Sequence, residues 1–304
     1  MANELVNITK FSDELMATMI QGSLTSPFIT KDVKWTGAKT FKFIGMNVSG
    51  FKNHNTAGGW NRGTITQFNN EYTITHDRDI EYYLDKRDVI ESGVTTMQNV
   101  LMKHVQENSV PEMDAVFFEA VSKAAIKAGL KSETAIGDYT AENVYGKLKA
   151  MLKNGRLRAY RTANALVMYV NSDIMDLLEQ SKDFVRKIEV TQIAEGGAGI
   201  ETRMTHIDGI PVFEVYDTER FYTAFDYTEN FVPASNGKKL NVAIVSLETV
   251  KTVPLIDDVA ILTPEQYRTN GNGYTGQLRQ LYDTFVFPNN KGNKVDSVFV
   301  DYQA

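Results

Sequence analysis

Cysteine is absent from the 304 residues. That excludes disulfides, thiolate nucleophiles and every cysteine-based zinc or iron–sulfur site. Stability must then come from packing and from partner subunits. No run of residues approaches the roughly 20 apolar positions that a membrane-spanning helix needs, so no membrane partner is expected. The opening Met1-Ala-Asn-Glu-Leu-Val-Asn7 carries neither the basic end nor the apolar stretch of a secretion signal. The chain is therefore expected to stay in the compartment that makes it. Glycine and proline show no period, which excludes a collagen-like fibre. The net charge of -6 gives no basic footprint for nucleic acid, since phosphate binding depends on clustered Lys and Arg. If the protein surrounds nucleic acid, it is expected to enclose it rather than grip it.

Catalytic signatures are also scarce. The four histidines, His54, His76, His104 and His206, include no pair at metal-ligand spacing. His76 alternates with tyrosines on a strand pattern, where a hydrogen-bonded structural role outweighs a ligand role. Gly196-Gly-Ala-Gly199 is not followed by a phosphate-binding lysine, so it reads as a loop. There is no G-x-S-x-G elbow. The carboxylate pairs Asp77/Asp79 and Asp257/Asp258 do not by proximity make a glycosidase cleft. The aromatic cluster Phe221, Tyr222, Phe225, Tyr227 and Phe231 has only Arg220 for a cation, too little for a nucleic-acid stacking platform. No enzyme, cofactor or metal site is expected.

What is present is an ordinary folded composition, 42% hydrophobic and 23% charged. The length suits one large domain or two modest ones sharing a core. Phe11, Leu15 and Met19 form a short amphipathic helix pattern, ended by Gly22 and Pro27. This arm packs on its own subunit or a neighbour, or else is a loosely held terminus. Residues 39–44 read as a strand. A loop with Gly50, Gly58, Gly59 and Gly63 follows, and the chain returns through 72–85. There Tyr72, Ile74, Ile80, Tyr82 and Leu84 share one face, and Thr73, Thr75, Asp77, Asp79, Glu81 and Asp85 share the other. Period-two alternation over that length predicts one continuous strand of roughly 45 Å. Two such arms with a glycine-rich tip make an extended ribbon, marginal alone in water, which needs a second layer.

A bent helix of roughly 35 residues follows, from Val94 through Val105 and on to Ala128. Pro111 either kinks it or sits in the first turn of a second helix, and the capping-box spacing of Ser109 and Glu112 favours a restart. Gly129 is expected to close it. Thr140 is expected to cap a helix reaching Lys153. Ala165–Val170 reads as a buried strand, with a helix starting at Asn171 or Ser172. Glu195–Gly199 reads as a mobile loop. Strands are expected at Ile210–Val215, Asn241–Leu247, Leu278–Phe287 and Val295–Tyr302, the last after an Asn290-Lys-Gly-Asn293 turn. Helices and strands interleave without a regular βαβ beat, so the fold class is α+β.

The order of arm, ribbon, long helix, mixed body and closing strands resembles the major capsid proteins of tailed phages, with the Hong Kong 97 phage-type fold. Several stretches carry the resemblance. Val33-Lys-Trp-Thr-Gly-Ala-Lys-Thr-Phe-Lys-Phe43 looks like the family's entry to its extended loop, and Thr73–Asp85 like the returning strand. Pro111-Glu-Met-Asp114 falls where the spine helix has a proline and acidic residues. Arg279–Val286 looks like the closing strand.

The resemblance implies an N-terminal arm (1–32), an extended loop (33–85), a peripheral domain on the spine helix (86–154), an axial domain (155–250) and a return to the peripheral domain (251–304). It implies hexamers and pentamers of an icosahedral shell, found in the virion and made in the host cytoplasm, enclosing double-stranded DNA without sequence-specific binding. Subunit contacts are then expected at Phe11, Trp35, Phe51, Lys52, Trp60, Arg62, Asp77, Arg78 and Asp79. Other expected partners are a separate scaffolding protein, since the chain starts almost directly at the arm, a portal and a maturation protease. Lys52 at the loop tip raises a lysine–asparagine cross-link, but no asparagine or glutamate partner matches by motif. An encapsulin shell and a hydrolase with a dimerising ribbon are the alternatives. Neighbouring terminase and portal genes would separate the first, and a convergent polar pocket would mark the second.

Overall fold

The computed structural model describes residues 2–30, 33–53, 60–87, 96–182, 189–192, 201–216, 218–263, 265, 272–289 and 294–304. Helix α1 (Ala2–Gly22) leads into strands β1 (Thr40–Val48), β2 (Ile65–Thr73) and β3 (Asp77–Asp85). Helix α2 (Met97–His104), a π-helical turn (Val105–Ser109) and α3 (Val110–Lys127) form an unbroken spine. Then come β4 (Lys131–Glu133), α4 (Val144–Met151), α5 (Leu157–Thr162), β5 (Leu166–Asn171), α6 (Ser172–Gln180), β6 (Glu189–Gln192), β7 (Glu201–Ile207) and β8 (Ile210–Val215). The chain closes with β9 (Phe225–Asp226), β10 (Val232–Pro233), β11 (Leu240–Ser246), β12 (Val250–Leu262), β13 (Gly273–Val286) and β14 (Val298–Tyr302).

The body is built on a mixed seven-stranded sheet in the order β4-β14-β11-β5-β8-β7-β6. Its central strands β5, β11 and β14 are buried at every position, because helices cover both faces. Alternation in β5 sends Val167 and Tyr169 toward Phe117, Phe118 and Val121 of α3. It sends Leu166, Met168 and Val170 toward Leu148, Leu157, Ile174 and Leu178 of α4–α6. The fold class is α+β, as expected. A second, antiparallel sheet, β12-β13-β3, lies under α1 and α2. Phe11, Leu15 and Met19 meet Leu101, Val105, Met113, Leu278 and Tyr282 there. The amphipathic arm thus packs on its own chain.

Local chemistry sets the spine's ends. Thr96, in extended conformation, accepts from the Asn99 N–H and starts α2. At the other end Gly129 has φ +72°. The Gly129 N–H donates to Ile126 and the Leu130 N–H to Ala125, the paired bonds of a Schellman stop.

Three expectations need correction. First, the helix does not restart at Ser109. That residue is itself helical, and its hydroxyl accepts from Gln280 Nε2 at 2.7 Å. Glu112 turns to His76 and Arg78. The π-helical turn just before Pro111 absorbs the missing N–H instead. Second, the helix after Thr140 begins only at Val144, because the Asn143 side chain takes up the Thr140 N–H in a preceding turn. Third, the long strand through residues 72–85 is broken at 74–76, and its second half is a strand of the body. The Glu195–Gly199 loop, the Asn290–Asn293 turn, His54, Gly58, Gly59 and Val94 lie outside the described residues.

Candidate functional site

The ribbon is the sheet with the least support. β1 and β2 pair with each other from Thr40↔Thr73 to Val48↔Ile65, and among the described residues no third strand joins them. Nine residues per strand give arms of about 30 Å. At the outer end Met46 is 59% exposed, Val48 61%, Ile65 69% and Trp60 95%, with Phe51 fully exposed. Counting half-covered Trp35, six of the ten exposed large hydrophobics among the described residues lie between positions 35 and 65. Scattered apolar side chains on a surface mean little; a group on an unsupported ribbon marks a contact surface.

The ribbon's root is held firmly. Phe41 and Tyr72, cross-strand partners, stack at 5.7 Å, and Phe41 meets Phe285 edge-on at 5.0 Å. Tyr72 meets Phe285 and Phe287 edge-on at 5.4 and 5.0 Å. Ile74, Val253 and Leu281 complete this cluster.

The break between β2 and β3 is fixed by polar contacts. Thr75 donates its N–H and hydroxyl to Asp283, and the His76 carbonyl accepts from the Tyr282 N–H. His76 Nε2 lies 2.8 Å from Glu112 Oε1, and Arg78 Nε 2.9 Å from the same oxygen. Arg78 also donates to the carbonyls of Tyr227 and Glu229. The chain therefore turns from ribbon to body across the spine helix. Burial pushes the Glu112 carboxyl up, but the His76 hydrogen bond and the Arg78 charge outweigh it and hold it below its ordinary range. Burial also lowers His104, which faces the Tyr82 hydroxyl at 2.9 Å.

The named sequence candidates separate into two groups. Trp35, Phe51, Lys52, Trp60 and Arg62 are exposed along the ribbon and its approach. The others make contacts within the chain. Phe11 is buried on the inner face of α1. Asp77 pairs with Arg279 and Lys39, which hold its carboxyl well below the usual range. Arg78 is tied to Glu112, and Asp79 sits opposite Arg279 in the β3–β13 register. The acidic stripe of β3 stays exposed but lies beside basic and polar residues of β13, with Gln277 donating to Glu81. Sequence alternation identifies β3 as a strand but cannot say which strand it pairs with.

A cleft of about 300 Å³ lies beside this hinge, lined by Asp77, Arg78, His104, Glu112, Glu229 and Gln280 among others. Several of its charged groups are engaged: Asp77 with Arg279, Arg78 and His76 with Glu112, and His104 with Tyr82. Among the described residues no three metal-ligating side chains converge. No helix among them is long and apolar enough to cross a membrane.

No family model matches the sequence, and no curated protein matches it. The fold does have solved counterparts. The capsid of cyanophage P-SCSP1u is similar at a TM-score of 0.62 and 12% identity, over 93% of this chain and 88% of that one. The mature capsid of bacteriophage PhiM1 is similar at 0.59 and 13%, over 93% and 87%. The capsid of a native GTA particle is similar at 0.52 and 12%, over 93% and 90%. At such identities the likeness is one of fold, and it spans nearly the whole chain.

Proposed function

We propose that this chain, which carries the fold of phage capsid subunits, is the major capsid protein of a tailed phage. It assembles with copies of itself into hexamers and pentamers of an icosahedral shell around double-stranded DNA. The carrying observation is the ribbon: two strands without a third among the described residues, rooted by aromatics and running out to exposed Phe51 and Trp60. A two-stranded sheet of this kind is marginal in water. A neighbouring copy supplies the missing layer, and repetition of that unlike-surface contact closes rings. The ribbon proper then runs over residues 40–73, with 77–85 serving as the hinge strand that ties it to the peripheral domain. Residues 155–250 form the axial domain that meets its equivalents at the centre of each ring.

In this reading the protein is a structural part of the virion, made in the host cytoplasm, and performs no catalysis. A separate scaffolding protein directs curvature, and a portal and a maturation protease complete the assembly line. The ribbon carries the test. Phe51→Asp combined with Trp60→Asp touches no buried cluster, so the variant should keep the wild-type circular dichroism spectrum and Tm. It should sediment as single subunits under conditions where the wild type forms multimers. Undiminished multimer formation by the folded variant would contradict the assignment.

A further inference from the structure

The net charge of the chain hides a local concentration of the opposite sign. From Val144 to Thr162 there are six basic residues and no acidic one. The folding pattern accounts for their placement. Val144, Leu148, Met151, Leu152 and Leu157 turn inward and cement α4 and α5 to the seven-stranded sheet. That leaves Lys147, Lys149, Lys153, Arg156, Arg158 and Arg161 along the outer side, each partly or fully exposed.

Counter-charges are few. Lys149 and Arg161 share a single oxygen of Asp208, at 3.3 and 3.5 Å. Arg156 reaches Asp296 only at 4.0 Å. Lys153 and Arg158 have no carboxylate partner among the described residues. Lys149, Lys153, Arg158 and Arg161 surround a cleft of about 200 Å³ whose one acid is Asp208. Four cations thus converge on one carboxylate.

We infer that this ridge is a sequence-independent docking surface for the phosphate backbone of nucleic acid. Two features favour a nucleic acid over an acidic protein. Stable protein contacts are anchored by buried aromatic or aliphatic side chains, and none of the exposed large hydrophobics lies between 144 and 162. Guanidinium groups and lysines spread along a ridge suit a run of evenly spaced phosphates, and arginine engages each in a two-pronged bond. Its two tyrosines, Tyr145 and Tyr160, pack against the core cluster, so the surface reads charge and not bases. The inference rests on the shell reading only for the identity of the nucleic acid, the enclosed DNA. The surface itself does not depend on assembly.

The test uses the full-length chain and a short fluorescein-labelled DNA duplex, followed by anisotropy across a salt series. The wild type should bind without regard to sequence, and log K should fall steeply with log salt. Lys153→Glu with Arg158→Glu should weaken binding by roughly tenfold or more and reduce the salt slope by about 2. The milder Lys153→Gln with Arg158→Gln should move both readings the same way by less, which covers any folding defect in the first pair. Lys103→Glu with Lys127→Glu, the same charge change on the spine helix, should leave affinity unchanged.

Equal loss in that control pair, unaltered binding by the ridge variants, or no binding by the wild type at low salt would each overturn the proposal. So would poly-glutamate binding to the wild type more tightly than the duplex through the same lysine and arginine, which would assign the ridge to an acidic protein. Electron microscopy of the same preparations separates the two readings. Ridge-dependent DNA binding without multimers sinks the shell and keeps the ridge, whereas multimers with ridge-independent binding do the reverse.

Discussion

Asp114 has no exposed surface, yet it accepts hydrogen bonds from the Ser23 and Thr25 hydroxyls, the Leu24 and Thr25 N–H groups and Arg220 Nη1. One carboxylate on the spine therefore joins the segment after α1 to the strand-rich body. Buried charges survive only when paired and hydrogen-bonded this fully. Asp114→Asn removes the negative partner from a buried arginine and should cost about 3–5 kcal/mol of unfolding free energy. Urea denaturation would register that loss as a lower midpoint, and an unshifted midpoint would deny Asp114 this role. Glu112 makes a pH prediction. Its folded-state pKa is depressed, so its contribution is complete above the ordinary glutamate value of about 4.3. It drains away as pH falls through that value toward the folded pKa. Glu112→Gln should flatten the stability-against-pH curve below about pH 5; an unchanged slope in denaturant midpoints would refute it.

At the scale of elements, the contact of α2 with β13 has little room. A Cβ on Gly276 would come within 2.4 Å of Met97 Sδ and 2.6 Å of Met97 Cγ. Gly276→Val should push the start of the spine off the sheet and cost about 1–3 kcal/mol through overpacking. Thermal unfolding would show the lower Tm, and a wild-type Tm would mean the helix yields freely. Several elements were legible in the sequence for clear reasons. β8, with its short apolar run, matches at both ends, and Gly129 stops the spine because only glycine takes its backbone angle cheaply. β12 was not legible. Pro254, Asp257 and Asp258 break its apolar pattern, and a bulge between Ile256 and Asp258 absorbs the irregularity. The break at 74–76 was hidden for the opposite reason, since period-two alternation runs straight across it.

For the whole molecule, both faces of the central strands β5, β11 and β14 are closed by the chain itself, while the ribbon is left with one layer. The surface left open is apolar and extended, the kind that a second copy of the chain can cover. The first strand of the ribbon could be read from the alternation over 39–44. The ridge on α4 and α5 could not be read from overall charge, because an acidic total conceals how positive charge is distributed. The most direct measurement is a cryo-electron-microscopy reconstruction of the wild-type multimer, with the course of residues 40–73 traced. The account predicts that Phe51 and Trp60 lie against an adjacent copy and lose the exposure they have in the single chain. A ribbon folded back on its own body, or standing free in solvent between copies, would contradict it.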